Sequence, residues 1–245
     1  MKAKRIIPLV ILTLTCAMCG SSEGAVVLNQ IGDVDAYLFG AAPGPTPSQI
    51  FTDFPIYDCT LLEDFTVAST ELNIIRVSAL FRAQGGYSSF ADVQGYDLNI
   101  FSAANLAATS LAGDVASQVV FAAFGAAVTQ VVDASGSDEY GLVSLEVDIA
   151  LPSAGTYWLG VSPRSAVAAT GQFLLMHSGA TGAVTPGNAN AQLANPGEGL
   201  GAGALSSLNL DYAYSITAIP EPAVSMLWVL ASCGWLCRRQ RTRKA

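Results

Sequence analysis

Residues 142–162 read LVSLEVDIALPSAGTYWLGVS, and the alternation on either side of their central turn decides the fold. Val143, Leu145, Val147, Ile149 and Leu151 share one face of an extended chain, opposite Ser144, Glu146 and Asp148, because successive strand side chains point to opposite sides. Pro152-Ser153-Ala154-Gly155 is turn chemistry. Beyond it Tyr157, Leu159 and Val161 point one way and Trp158 the other. Two half-wet strands with a turn between them are the pattern of an antiparallel β-sandwich.

The same grammar extends in both directions. Strand-like runs occur at 64–67, 72–82, 96–102, 115–124, 128–132, 172–178 and 208–217. In the second of these Asn73, Ile75, Val77, Ala79 and Phe81 are expected on one face. Turn residues such as Gly85-Gly86, Ala112-Gly113-Asp114, Ser135-Gly136-Ser137 and Pro186-Gly187-Asn188 separate the runs. No stretch of the body sustains a helical period, although the alanine-rich 102–111 has room for a turn or two. The expectation is all-β: a single antiparallel β-sandwich, jelly-roll-like, of about eight to ten strands over residues 26–218. Residues 179–203, rich in Gly, Ala, Asn and Pro, are expected to form a long flexible loop.

Both ends of the chain carry a different grammar. Lys2, Lys4 and Arg5 precede an apolar run over 6–18 and small residues at Ser22 and Gly24-Ala25, the layout of a signal peptide over 1–25 cut after Gly24 or Ala25. A lipoprotein signal at Cys16 or Cys19 is disfavoured, since Leu14-Thr15-Cys16 lacks the usual small residue before the cysteine. At the other end Pro220-Glu221-Pro222 is followed by an uncharged run over 223–237, then by Arg238, Arg239, Arg241, Arg243 and Lys244. Fifteen residues make about 22 Å of helix against about 30 Å of hydrocarbon, short for a permanent anchor. A span this short crosses when arginines snorkel and the bilayer thins, and the basic cluster then stays cytoplasmic.

This composite of motif, apolar segment and arginine-rich terminus, confined to 219–245, resembles the PEP-CTERM sorting signal. Ile219 stands where the family often has Val. The resemblance implies export by the Sec machinery and transient retention in the inner membrane. It further implies cleavage near Pro220-Glu221-Pro222 by exosortase, then delivery to the cell surface or extracellular matrix. Residues 151–159 also resemble an L-P-x-x-G-T-Y-W-L strand found in many exported β-sandwich domains, some with PEP-CTERM signals, a likeness that concerns fold and carries little about function.

With the two ends set aside, Arg76, Arg82 and Arg164 face seventeen carboxylates, and the body carries −14 with no lysine. Such a surface repels phosphate backbones, so nucleic acid is excluded as a partner, while divalent cations or a salty exterior suit it. Cys59 is the single cysteine of the body, so no internal disulfide is expected, and a buried thiol is the plainer reading than a nucleophile.

The parts for most active sites are missing. His177 is the one histidine, which excludes multi-histidine zinc, and no G-x-S-x-G elbow accompanies it; its alternation with Phe173 and Leu175 makes it an ordinary half-buried strand residue. Residues 197–202 match G-x-G-x-x-A formally but follow a turn and precede no helix pattern, which disfavours a dinucleotide site. Glu146 and Asp148 have a glycosidase-like spacing, as does any i, i+2 acidic pair on a strand. Asp33 with Asp35, expected on one strand face, and Asp133, Asp138 and Glu139 in one loop are the candidate ligands for a structural calcium; neither group matches an EF-hand, and solvated acidic loops are the plainer reading. The function expected is therefore a sorted, non-catalytic β-sandwich of the cell surface or matrix, associated with extracellular polysaccharide. The alternative is a secreted carbohydrate-active hydrolase with a carboxylate site.

Overall fold

The computed structural model describes residues 24–34, 44–68, 72–84, 90–106, 110–121, 126–132, 139–166, 171–178, 187–201 and 203–220. Among them are fourteen strands, three short 3-10 turns and no α-helix. The strands are β1 (Ala25–Asn29), β2 (Thr46–Pro47), β3 (Ile50–Phe51), β4 (Thr60–Val67), β5 (Leu72–Gln84), β6 (Gly95–Ser102) and β7 (Ala116–Phe121). They continue with β8 (Ala126–Val132), β9 (Glu139–Leu151), β10 (Gly155–Ser165), β11 (Gln172–Leu175), β12 (Gln192–Ala194), β13 (Leu205–Ser207) and β14 (Tyr214–Pro220).

They assemble into two seven-stranded sheets. In the first, β5 is the spine: β9 pairs along one edge, while β14 and then β11 share the other. Beyond these lie β8, β1 and β2. The second sheet runs β13-β12-β4-β10-β6-β7. All pairings are antiparallel except β3 with β10, where Ile50 lies opposite Arg164 and Phe51 opposite Ser165.

The fold is sandwich-like because the apolar faces of the two sheets share one core. Phe65, Leu98, Ile100, Tyr157, Leu159 and Val161 of the second sheet pack with Ile74, Val77, Phe81, Val143, Leu145, Phe173 and Ile216 of the first. Each large side chain taken out of water this way contributes about 1.5–3 kcal/mol, the main term available to a chain without a disulfide in its body. Smaller clusters cover the outer faces: Ile31, Leu80, Met176 and Ala213 on the first sheet, and Leu62, Phe101 and Ala194, with Trp158 against them, on the second.

The alternation over 142–162 holds on both sides of the turn, with β9 in the first sheet and β10 in the second. Val143, Leu145, Ile149 and Leu151 are buried, Val147 packs against the core, Glu146 and Asp148 are exposed, and Tyr157, Leu159 and Val161 face inward. Alternation along β5 does not survive. Ile74 and Val77 are both fully buried, with Ile75 half-buried and Arg76 exposed between them, so the core face is Leu72 and Ile74, then Val77, Ala79, Phe81 and Ala83. The cause is a line of bulges across the sheet. The ladders slip between Val26 and Leu28, between Thr217 and Ala218, and between Ile74 and Arg76, and an extra residue shifts every later side chain to the other face.

The described part of 179–203 is also more ordered than expected. It contains β12, which pairs with both β4 and β13 and buries Ala191, Leu193, Ala194 and Asn195. Three residues are too few to show a period, and small side chains give no apolar signal. Strands β2, β3 and β13 are two or three residues long and equally without a period, and the fourteen strands among the described residues exceed the eight to ten expected.

Candidate functional site

The ends of the body come together. Ala25 lies opposite Ala218 in the β1–β14 ladder, and Pro220, the last described residue, lies opposite Leu72. Pro220, the first residue of the expected sorting motif, is thus also the last residue of a strand flanked by β1 and β5. Glu221, Pro222, the 223–237 segment, the basic residues from Arg238 to Lys244 and residues 1–23 of the expected signal peptide lie outside the described residues. No helix among the described residues is long and apolar enough to cross a membrane.

Of the calcium candidates, Asp33 and Glu139 are among the described residues. Asp33 is exposed and follows Gly32, whose φ of 65° takes the chain out of extended conformation, so it does not sit on a strand as expected. Asp35, Asp133 and Asp138 lie outside the described residues. Glu139 opens β9, and its Oε2 accepts the Phe90 N–H at 3.3 Å. No group of three His, Cys, Asp or Glu among the described residues has the arrangement of a metal site.

The carboxylate pair on β9 is engaged on the outer face. Arg76 Nε donates to Glu146 Oε1 at 2.7 Å, and Asn73 Nδ2 donates to Asp148 Oδ1. Cys59 is fully buried, donates to the Pro47 carbonyl at 3.4 Å, and has its pKa pushed up to about 12 by desolvation, the opposite of an activated nucleophile. His177 is more deeply placed than a half-buried strand residue. It stands edge-on to the Tyr212 ring, its Nε2 lies 3.0 Å from Thr46 Oγ1, and burial lowers its pKa. Glycines 197 and 199 have a packing reason, since a Cβ on either would strike the Ile56 carbonyl.

Two features escaped the sequence reading. The first is Glu63 on β4, fully buried, with Oε2 accepting the Tyr212 N–H at 2.9 Å. Desolvation raises its pKa to about 8; the Tyr212 N–H opposes this, Asp211 adds to it, Gln30 opposes and Asp64 adds. Oε1 of Glu63 and Oε1 of Gln30 are both buried without a hydrogen-bond partner among the described residues. The neighbouring carboxylates are occupied: Asn188 Nδ2 donates to both oxygens of Asp64, and the Asn188 and Ala189 N–H groups donate to Asp211 Oδ1.

The second is an aromatic recess of about 400 Å³ lined by Gln49, Phe51, Phe54, Tyr57, Gly171 and Gln172. The Phe54 and Tyr57 rings are nearly parallel, 14° apart with centroids at 5.5 Å, and remain 49% and 38% exposed. Their loop is braced from several sides. Pro55 presets a 3-10 turn, Tyr57 and Asp58 N–H groups donate to the carbonyls of Phe54 and Pro55, and the Gly199 N–H donates to the Ile56 carbonyl. Asp58 Oδ1 accepts the Phe51 N–H at 2.7 Å, and burial, partly offset by that bond and by Arg164, raises its pKa. The legible signal was the 54–57 sequence Phe-Pro-Ile-Tyr, three bulky apolar residues around a proline between Asp53 and Asp58, too short to be a strand.

A search of protein-family models and of curated proteins found no match to this chain.

Proposed function

We propose that the chain is an exported protein delivered to the cell surface or extracellular matrix by exosortase-type processing of its C-terminus. Its body, taken as residues 26–218, is a single jelly-roll-like sandwich without catalytic function, associated with extracellular polysaccharide. The observation that carries this reading is the ordered composite of Pro220-Glu221-Pro222, an uncharged fifteen-residue run and five basic residues at the extreme C-terminus.

The fold supports it physically. Because β1 and β14 are antiparallel neighbours, the two processing points flank the same end of one ladder, and both membrane segments hold the body by that end. A cut after Pro220 leaves every residue of β14 in place, whereas a cut a few residues upstream removes partners of both β1 and β5. Release then frees a body of −14 charge that anionic lipid repels. The hydrolase alternative gains no observation, since the Glu146 and Asp148 carboxylates are engaged by Arg76 and Asn73 on an exposed face.

Mass spectrometry of the extracellular fraction tests the proposal. The expected product retains Tyr214–Ile219 and lacks residues 238–244, and replacing Pro220, Glu221 and Pro222 by alanine traps a full-length form in the membrane. A dominant C-terminal peptide still ending at Ala245, with the triple variant distributed like wild type, overturns it.

A further inference from the structure

We propose that the recess bounded by Gln49, Phe54, Tyr57 and Gln172 binds a neutral sugar ring of an extracellular glycan. This rests on the reading of the body as a non-catalytic, polysaccharide-associated domain, and gives that association a place.

The argument begins with Gln49. Its side chain is fully buried, and its backbone is locked in a two-way bridge with Cys59. The Phe173 N–H is a donor, so the amide atom facing it at 3.2 Å is the acceptor Oε1. Turning the amide over would set donor against donor, so Nε2 is directed elsewhere, and it has no hydrogen-bond partner among the described residues. A buried donor without a partner is costly to keep, and a chain rarely retains one without a use. Gln49 also lines the recess, so the unmet donor belongs to a side chain of its wall.

The rest of the lining defines the ligand. No lining residue among those described is charged, and the strongly acidic body disfavours anions, so an ionic ligand finds no counter-charge among them. Two near-parallel, half-exposed rings offer an apolar face, while Gln49 brings an amide to the wall of the same recess. A neutral pyranose has this complementary division: C–H groups on its faces and hydroxyls around its rim. The volume lies at the small end of the range for ligand sites, enough for one or two rings and too small for a folded partner. The braced Asp53–Asp58 loop lowers the ordering cost of binding, because the rings are already held in position.

The test is native affinity electrophoresis of the full-length chain, in a non-glycosidic detergent, through gels containing dextran, galactomannan or soluble cellulose derivatives without charge, with alginate as the anionic control. Wild type is expected to be retarded by at least one neutral polymer and not by alginate. Phe54→Ala and Tyr57→Ala, both at exposed side chains, should each weaken retardation about tenfold while circular dichroism and melting stay unchanged. Absence of retardation by every neutral polymer overturns the proposal, as does equal retardation of wild type and both variants, or binding to alginate alone. Processing of the C-terminus is read in the same strains. Normal processing with failed glycan binding removes this site alone, whereas glycan binding with unprocessed tails leaves the site standing and removes the sorting proposal.

Discussion

The β5–β9 and β4–β10 pairs are antiparallel ladders of the two sheets, and they are held in different ways. The first carries eleven register pairs from Leu72↔Leu151 to Ala83↔Glu139, crossed by a single slip. The second carries six and stops at Gly160↔Leu62. At the next position side chains replace the ladder. Tyr214 OH donates to the Leu61 carbonyl and accepts the Val161 N–H, each at 3.0 Å, while Ser48 Oγ accepts the Leu61 N–H and donates to the Val161 carbonyl. Beyond this wedge β3 takes the place of β4 beside β10. Repeated backbone bonds distribute stability over many residues, whereas a wedge concentrates it in a few hydroxyls.

Tyr214→Phe tests that concentration most severely. The ring is fully buried and its packing is retained, but the Leu61 carbonyl and Val161 N–H each lose a partner where water does not reach. The expected loss is about 2–4 kcal/mol, since the desolvation cost of stranded groups adds to the lost bond. Urea unfolding measures it. A loss below about 0.5 kcal/mol would mean that β4 and β10 close on each other without the hydroxyl.

Glu63 sharpens the same contrast, because it lies opposite Leu159 in the shorter ladder. Its folded pKa, raised to about 8 from 4.5, makes the native state hold a proton that the unfolded chain releases. Its contribution is therefore full below pH 4.5 and lost as pH rises toward 8, on the order of 1 kcal/mol per pH unit across that window. His177 acts with opposite sign: burial lowers its pKa, so its neutral form favours the native state and stability falls as pH drops through about 6.5. Glu63→Gln should flatten the alkaline decline and raise stability at pH 8, with little change at pH 4.5. A stability–pH curve for this variant that parallels wild type from pH 5 to 8 would remove Glu63 as the cause.

How much of this was legible follows the same division. Residues 142–162 could be read because each pair repeats the period of the last, and a period is what a sequence displays. The wedge could not, since Ser48, Leu61, Val161 and Tyr214 are brought together from separate strands, and a hydroxyl in a strand looks alike whether it meets water or a carbonyl. Asn73 and Ile75 were placed on the Val77 face because a bulge changes parity without changing composition. Glu63 escaped for a related reason: a carboxylate among Leu61, Leu62 and Phe65 reads as the wet side of a strand, while β4 buries it and its neighbours alike. The aromatic recess needed the fold to join residues 49–57 to 171–172. The processing signals proposed for the two ends rest on sequence patterns alone, without recourse to tertiary contacts.

The smallest effect is expected on the ladder that looks most elaborately decorated. Arg76 and Glu146 lie opposite each other on the outer face of β5–β9, with a 2.7 Å ion pair whose side chains are 52% and 57% exposed. Water screens the attraction, two long side chains lose freedom in forming it, and salt weakens it further, so an exposed pair of this kind contributes about 0–1 kcal/mol. The backbone bonds beneath remain whichever side chains stand above them. Arg76→Gln should therefore cost less than about 0.5 kcal/mol in urea unfolding at low ionic strength, and the difference from wild type should shrink in 0.5 M salt. A loss comparable to that of Tyr214→Phe, persisting in salt, would show that the long ladder also depends on single side chains.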